Sequence, residues 1–227
     1  MSLAHNPRIV TDGLVLALDA ANTKSYPGSG TIWYDLSGNG NNGTLTNGPT
    51  FSSDNLGSIV FDGVNDYING THNAALDITG NVTLECWFKV TGPKTYYVRV
   101  FGKGESANRT YNLWYHQSNS IFLYQRYGTT DINVELSAPV NLNVWYHMAG
   151  TSNNGTHVLY INGVSVVSSS GGTTFYSSTD PYRVGYHGGV HTYDHIGNIS
   201  NCRIYNRALS ATEVLQNYNA LRGRFGI

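Results

Sequence analysis

Short apolar runs recur along most of the chain and predict β-strands. Leu14–Asp19 is a continuous apolar run, typical of a strand buried on both faces. In residues 83–90, side chains of one face alternate with those of the other at period two. Asn162-Gly163 lies between two alternating runs and is the favoured pair for a type I′ hairpin turn. Many short strands with turn signals roughly ten residues apart indicate a sandwich or barrel.

Only the C-terminal end shows a helical pattern. Ser210 and Glu213 have the spacing of a capping box, and Gly223 is placed to end the helix. The apolar face between them consists of Val214, Leu215, Tyr218 and Leu221. A terminal amphipathic helix on a sandwich is expected to pack over a sheet edge. We therefore predict an N-terminal extension over residues 1–12 and one all-β domain over residues 13–227 that ends in a short α-helix.

The charge composition excludes several classes of partner. Charged residues make up only 12% of the chain, and the formal net charge is -1. Lys and Arg are therefore not in excess over Asp and Glu, as they usually are in a nucleic-acid-binding protein. The opening residues 1–9 are polar, unlike a signal peptide, and no apolar run is long enough to span a bilayer. We expect a protein made in a cytoplasm and not inserted into a membrane.

The two cysteines, Cys86 and Cys202, each lie within a predicted strand. In a chain of cytoplasmic origin, two buried free thiols are the favoured interpretation. A long-range disulfide between the first and last parts of the fold is the alternative.

Four segments together resemble the laminin-G-like jelly-roll domains of the concanavalin A-like superfamily. These segments are residues 35–43, 60–68, 145–149 with the hairpin at 160–163, and 204–210 before the helix. Their order and spacing match along nearly the whole chain, from about Gly13 to Phe225. The resemblance implies an all-β, two-sheet antiparallel jelly-roll sandwich that serves as a lectin-like binding module.

The opening residues 11–22 and closing residues 221–226 also resemble structural proteins of marine tailed bacteriophages. That resemblance implies a virion-surface protein, a head or tail appendage that forms a homo-oligomer and contacts other virion proteins. Its expected ligand is a glycan or the host cell surface. A purely structural capsid or tail decoration protein without a glycan ligand is the alternative, and a polysaccharide-degrading enzyme is a third hypothesis.

The lack of a recognisable catalytic motif in the sequence favours a protein that is not an enzyme. Glycoside hydrolysis needs two carboxylates held across the scissile bond. The glutamates of the chain are far apart in sequence: they are Glu85, Glu105, Glu135 and Glu213. Glu213 already belongs to the predicted helix cap. Residues 38–43 match the glycine pattern of dinucleotide-binding loops, but residues 44–49 cannot form the helix which that site requires.

Calcium is the cofactor that the resemblance implies, as a structural ion near the rim of the sandwich. The resemblance places two carboxylates as its ligands. One is Asp19, at the end of the first strand, and the other is Asp35, in the loop of residues 35–43, which we call the Gly/Asn loop. The family often has a further Asp in the last strand, where this chain has Ser200. The missing carboxylate weakens the expected ion site.

Aromatic rings interleaved with hydrogen-bonding side chains suggest a carbohydrate-binding patch. Flat rings suit the apolar face of a pyranose, and polar neighbours suit its hydroxyl rim. Alternation requires some large side chains of the middle strands to point away from the core. We predict a shared outward patch of Trp114, Tyr124, Arg126, Tyr186 and His187. The alternative is that these rings fill the core or are scattered over the surface.

Overall fold

The computed structural model describes residues 7–105, 108–186 and 194–227, and it confirms an antiparallel β-sandwich. The first eight strands are β1 (Leu14–Asp19), β2 (Ile32–Trp33), β3 (Gly43–Thr46), β4 (Thr50–Ser52), β5 (Ser58–Asp62), β6 (Tyr67–Asn69), β7 (Val82–Val90) and β8 (Val98–Lys103). The others are β9 (Tyr111–His116), β10 (Ile121–Arg126), β11 (Ile132–Ser137), β12 (Trp145–Asn153), β13 (Thr156–Ile161), β14 (Val164–Ser170), β15 (Tyr182–Val184) and β16 (Ile196–Tyr205). The helix α1 covers Ala211–Leu221, and short 3₁₀ turns lie at Asp54–Leu56, Ala74–Leu76 and Arg222–Arg224.

The strands form two eight-stranded sheets. Sheet A has the order β14-β13-β12-β7-β16-β5-β4, and β1 also pairs with β16. Sheet B has the order β11-β10-β9-β8-β15-β6-β3-β2. The predicted hairpin turn is confirmed, since Asn162 and Gly163 both have positive φ, 51° and 77°. No helix in the described ranges has the length and apolar character of a membrane span.

The inner faces of the two sheets form one core. On β7, Leu84, Phe88 and Val90 face inward and are fully buried, as the alternation predicted. On sheet B, the inward residues include Leu113 and Tyr124. Each fully buried side chain of this size stabilises the fold by about 1.5–3 kcal/mol relative to exposure, before entropy is subtracted.

The cysteines face each other inside this core. Cys86 and Cys202 are directly opposed in the β7–β16 register, with their Sγ atoms 3.7 Å apart, and both are free thiols. Burial raises the pKa of the Cys86 thiol, so it is protonated and unreactive in the folded protein.

The Gly/Asn loop covers the second edge of β1. The Asp35 carboxylate accepts a hydrogen bond from the amide of Ala17, and the side-chain amide of Asn41 donates to the carbonyl of Val15. The amide of Leu36 donates to the carbonyl of Ala17. The loop thus satisfies edge groups that would otherwise need another strand.

The C-terminal helix begins with the predicted capping box. Ser210 accepts from the amide of Glu213, whose carboxylate accepts from the amide of Ser210. The helix α1 contacts the edge strand β14, as expected, but it also lies over the outer face of sheet A, where Tyr218 stacks on Trp87 of the central strand β7. The outer face of sheet A is apolar at Trp87 and Trp145, and the C-terminal segment removes these side chains from water by packing Leu221 and Phe225 against them.

Candidate functional site

The outer face of sheet B, opposite the core, carries an open pocket of about 330 Å³. Its lining consists of Tyr97, Arg109, Trp114, Leu123, Gln125, Asn133 and Glu135, and we call it the sheet B pocket. One row of cross-strand neighbours runs beneath it, from Trp114 on β9 through Leu123 on β10 to Glu135 on β11. A second row contains Gln125 and Asn133. The register of three adjacent strands therefore positions the pocket.

The floor of the pocket is apolar. Trp114 and Leu123 are direct neighbours across β9 and β10, and they are 3% and 5% exposed. Trp114 points outward because Leu113 and Tyr115, which flank it in the strand, are buried in the core. The indole therefore supplies a floor with a small accessible surface rather than an open platform.

One rim of the pocket is a fixed row of hydrogen-bonding groups. The Nε2 of Gln125 donates to the Oδ1 of Asn133 at 2.7 Å, and the Tyr127 hydroxyl donates to the Oε1 of Gln125 at 2.5 Å. The guanidinium of Arg109 lies 4.8 Å from the centroid of the Tyr127 ring. These contacts orient two amides and a cation toward the pocket in advance of any ligand.

The opposite rim pairs a phenol with a carboxylate. The Tyr97 hydroxyl donates to the Oε2 of Glu135 at 3.3 Å. Burial and the neighbouring Glu135 carboxylate raise the pKa of the Tyr97 hydroxyl. Glu135 is exposed and offers its remaining lone pairs to solvent or a ligand.

A buried arginine lies beside the pocket. The Arg99 guanidinium is 5.8 Å from the centroid of the Trp114 ring. Its Nη1 donates to the carbonyl of Gly104 and to the Oδ1 of Asn112, and its Nε donates to the carbonyl of Tyr186. Burial lowers the pKa of Arg99 to about 10, which leaves it charged at neutral pH. It fixes the end of β15 against β8 and β9.

Two of the predicted patch residues do lie on this outer face. Trp114 lines the pocket, and Tyr186 stacks on Tyr67 with a centroid separation of 4.5 Å. His187 lies outside the described residues.

The prediction that Tyr124 and Arg126 point outward is wrong. Both are fully buried on the inner face of β10. The Tyr124 hydroxyl is 2.6 Å from the Oγ of Ser152, and the Nη2 of Arg126 donates to the carbonyls of Ile78 and Gly80. Period-two alternation holds on β10, but Tyr124 and Arg126 lie on its inner face, whereas Leu123 and Gln125 lie on the outer face.

Sequence reasoning missed the pocket residues other than Trp114. The tight connection between β9 and β10 carries the signal that could have found two of them. If Trp114 points outward, the residue paired with it across this hairpin also points outward, and that residue is Leu123. Gln125 then follows on the same face two residues later.

The proposed calcium ligands do not fit an ion site. The Asp35 carboxylate already accepts from the amides of Ala17, Ser37 and Asn41 and from the Ser37 hydroxyl. The two oxygens of Asp19 accept from Arg224 at 2.8 and 3.0 Å. Calcium needs several oxygens with lone pairs directed at it, whereas these are directed at N–H and O–H donors. In the ranges that the structure describes, no group of three or more His, Cys, Asp or Glu could hold a metal.

Comparison with protein families matches residues 62–215 to the family described as the concanavalin A-like lectin/glucanases superfamily. The match runs from the end of β5 into α1 and covers more than half of the chain. No curated protein sequence matches the chain significantly.

Solved structures share the fold at low sequence identity. The binding domain of Paraclostridial Mosquitocidal Protein 1 has a TM-score of 0.76 and 18% identity, and the match covers 92% of this chain and 52% of that one. Domain 4 of an extracellular arabinanase from Geobacillus stearothermophilus, in complex with arabinotriose, has a TM-score of 0.72 and 18% identity over 90% and 98% of the two chains. Trypanosoma rangeli sialidase has a TM-score of 0.70 and 15% identity over 93% and 33%. The chain thus spans about half of the mosquitocidal-protein chain and a third of the sialidase chain.

Proposed function

Since the chain belongs to the concanavalin A-like lectin/glucanase superfamily, we propose that it is a non-catalytic carbohydrate-binding module whose glycan site is the sheet B pocket. The observation that carries this proposal is the composition of the pocket. An apolar floor lies between two rims of amides, a phenol, a guanidinium and a carboxylate. A sugar ring presents an apolar face bordered by hydroxyls, and this arrangement complements both.

The pocket residues would contact different parts of the sugar. Trp114 and Leu123 would contact the apolar face of the sugar, while Glu135 accepts and Arg109 donates hydrogen bonds to hydroxyls. The bond between Gln125 and Asn133 holds the two amides in place before the ligand arrives. Such preorganisation reduces the entropy that binding would otherwise cost.

The carboxylates of the chain support a non-catalytic role. Among the described residues that line the pocket, Glu135 is the only carboxylate, and glycoside hydrolysis needs a pair. The other glutamates hold arginines elsewhere: Glu85 pairs with Arg203, Glu105 with Arg183, and Glu213 with Arg207. None of these three glutamates lines the sheet B pocket.

The structural relatives offer a parallel for this role. The arabinanase domain, which this chain covers almost completely, was solved with arabinotriose bound. A single jelly-roll domain of this size is thus sufficient to hold an oligosaccharide in that protein, and we propose an equivalent capacity here.

We further propose that the module acts on the virion surface of a tailed bacteriophage, as a head or tail appendage that binds glycan on the host cell. The resemblance of residues 11–22 and 221–226 to phage structural proteins supports this placement. A homo-oligomer would present several pockets together, so that weak individual sites bind through avidity.

A glycan array probed with the purified, multimerised protein tests the proposal, followed by calorimetry on the glycans that bind. Gln125→Ala and Asn133→Ala each remove a rim amide and should weaken binding by about tenfold. Tyr34→Ala is the matched control, since Tyr34 is a 46% exposed tyrosine that does not line the pocket. Unchanged affinity in both rim variants would exclude the pocket. Binding to virion proteins but to no glycan would instead identify a structural decoration protein.

A further inference from the structure

A second aromatic cluster lies on the outer face of sheet B. Tyr67 on β6 and Tyr186 just after β15 stack with their ring centroids 4.5 Å apart and their planes at 24°, and both rings are partly exposed. The Arg183 guanidinium lies 5.6 Å and 6.0 Å from the two ring centroids. We call Tyr67, Tyr186, Arg183, Asn69 and Glu105 the Tyr67 cluster.

The Tyr67 cluster is held by its own polar contacts. The Nε of Arg183 is 2.8 Å from the Oε1 of Glu105, and its Nη1 donates to the Oδ1 of Asn69. The cluster therefore contains the same kinds of group as the sheet B pocket: aromatic rings, an amide, a guanidinium and a carboxylate. Partly exposed rings with fixed polar neighbours are again suited to a sugar.

The cluster and the pocket share one surface. Ile68 and Val184 are buried in the core, so Tyr67 and Arg183 point outward on the side of Trp114. In the order β9-β8-β15-β6, Tyr67 lies three strands from Trp114, and three strand spacings amount to about 14 Å across the sheet. Arg99 contacts both the Tyr67 cluster and the sheet B pocket, because it donates to the carbonyl of Tyr186 and lies beside the Trp114 ring.

We propose that the Tyr67 cluster is a second sugar subsite, and that the outer face of sheet B binds a linear oligosaccharide running across the strands from β11 to β6. This inference rests on the proposed function. One sugar ring is much shorter than the separation between the two places, so only an oligosaccharide contacts both. Contacts at the second subsite add to affinity without a second loss of translational freedom.

The test is a length series of arabino-, xylo-, gluco- and manno-oligosaccharides, from monosaccharide to hexasaccharide, titrated into the full chain. For a series that binds, affinity should rise by about tenfold or more between the disaccharide and the longest members. Tyr67→Ala should remove this increase and leave the affinity for the disaccharide unchanged. Tyr67→Phe keeps the stacking surface and should preserve the increase, and Tyr34→Ala again serves as the control.

The outcomes separate the two proposals. Affinity that stays level from the disaccharide onward in wild type contradicts the second subsite and leaves the pocket proposal intact, whatever the stability of the Tyr67 variants. A length increase that survives both Tyr67→Ala and Tyr186→Ala, in folded proteins, also overturns it. If wild type binds no saccharide of any series and no glycan on the array, the proposed function itself fails.

Discussion

The outer faces of the two sheets contain similar residues but have different environments. On sheet A, Trp87 and Trp145 are covered by the C-terminal segment, and the Phe225 ring lies 4.2 Å and 4.6 Å from their centroids. On sheet B, Trp114 also points outward, yet it lines an open pocket. The difference lies in the position of α1, which covers sheet A. An outward aromatic residue on a strand is therefore part of a core or of an open surface pocket, depending on which sheet the helix covers.

The glutamates on the two outer faces also differ in burial. On sheet A, Glu85 is fully buried, with its Oε1 2.7 Å from Arg203 and both oxygens accepting from the Nδ2 of Asn217 on α1. Burial alone would raise the pKa of Glu85, but His147 at 3.5 Å and Arg203 outweigh it and hold the pKa at about 2. Glu135 on sheet B is exposed. One carboxylate anchors the helix, and the other faces solvent.

The largest expected effect comes from removing the buried carboxylate. Glu85→Ala leaves the Arg203 charge buried without its partner and should lower the free energy of unfolding by about 3–5 kcal/mol. Chemical denaturation measures the loss. Glu135→Ala is the matched control on the other face and should change stability by less than about 0.5 kcal/mol. Equal losses in the two variants would show that the faces do not differ as described.

A comparable loss should separate the two sides of strand β10. Tyr124→Ala opens a cavity in the core and should destabilise the fold by about 3–5 kcal/mol. Gln125→Ala, one residue later on the outer face, should change stability by less than about 0.5 kcal/mol while weakening glycan binding. A stable Tyr124→Ala protein that has lost glycan binding would show instead that Tyr124 points outward into the binding surface.

A smaller effect should appear in acid. The folded pKa of Glu85 lies below its unfolded value of about 4.3, so the unfolded chain binds more protons between these values. The stability from Glu85 is thus complete above about pH 4.3 and is lost as the pH falls toward 2. Urea denaturation of wild type across this window should show a steeper decline than Glu85→Gln. Glu213, whose pKa the hydrogen bond from Arg207 holds at about 2, contributes equally to both proteins. Equal declines of stability with pH in wild type and Glu85→Gln would contradict the lowered pKa of Glu85 in the folded protein.

The fold was largely predictable because its signals are local. The alternation in β7, the Asn162-Gly163 turn and the Ser210–Glu213 box each involve neighbouring residues, and the structure confirms them. The site was not, because it depends on long-range pairing. Whether Trp114 or Tyr124 points outward depends on which face of sheet B meets sheet A. Likewise, Glu85 meets Arg203 and Asn217 across 118 and 132 residues of sequence.

The smallest expected effect is that of calcium. The four hydrogen bonds that Asp35 accepts hold the Gly/Asn loop on the edge of β1, and Asp19 is bound to Arg224 in the turn after α1. For either carboxylate to ligate calcium, these contacts would have to break, and breaking them would offset the free energy of binding. An ion that binds only the folded state raises its melting temperature, so the melting temperature in calcium and in chelator reports such binding directly. We expect the two values to agree. Asp35→Asn, which keeps the size of the side chain but changes its acceptors, provides the comparison: it should lower the melting temperature equally in calcium and in chelator. A higher melting temperature in calcium for wild type, lost in Asp35→Asn, would show that the ion displaces the loop amides and that Asp35 is a ligand.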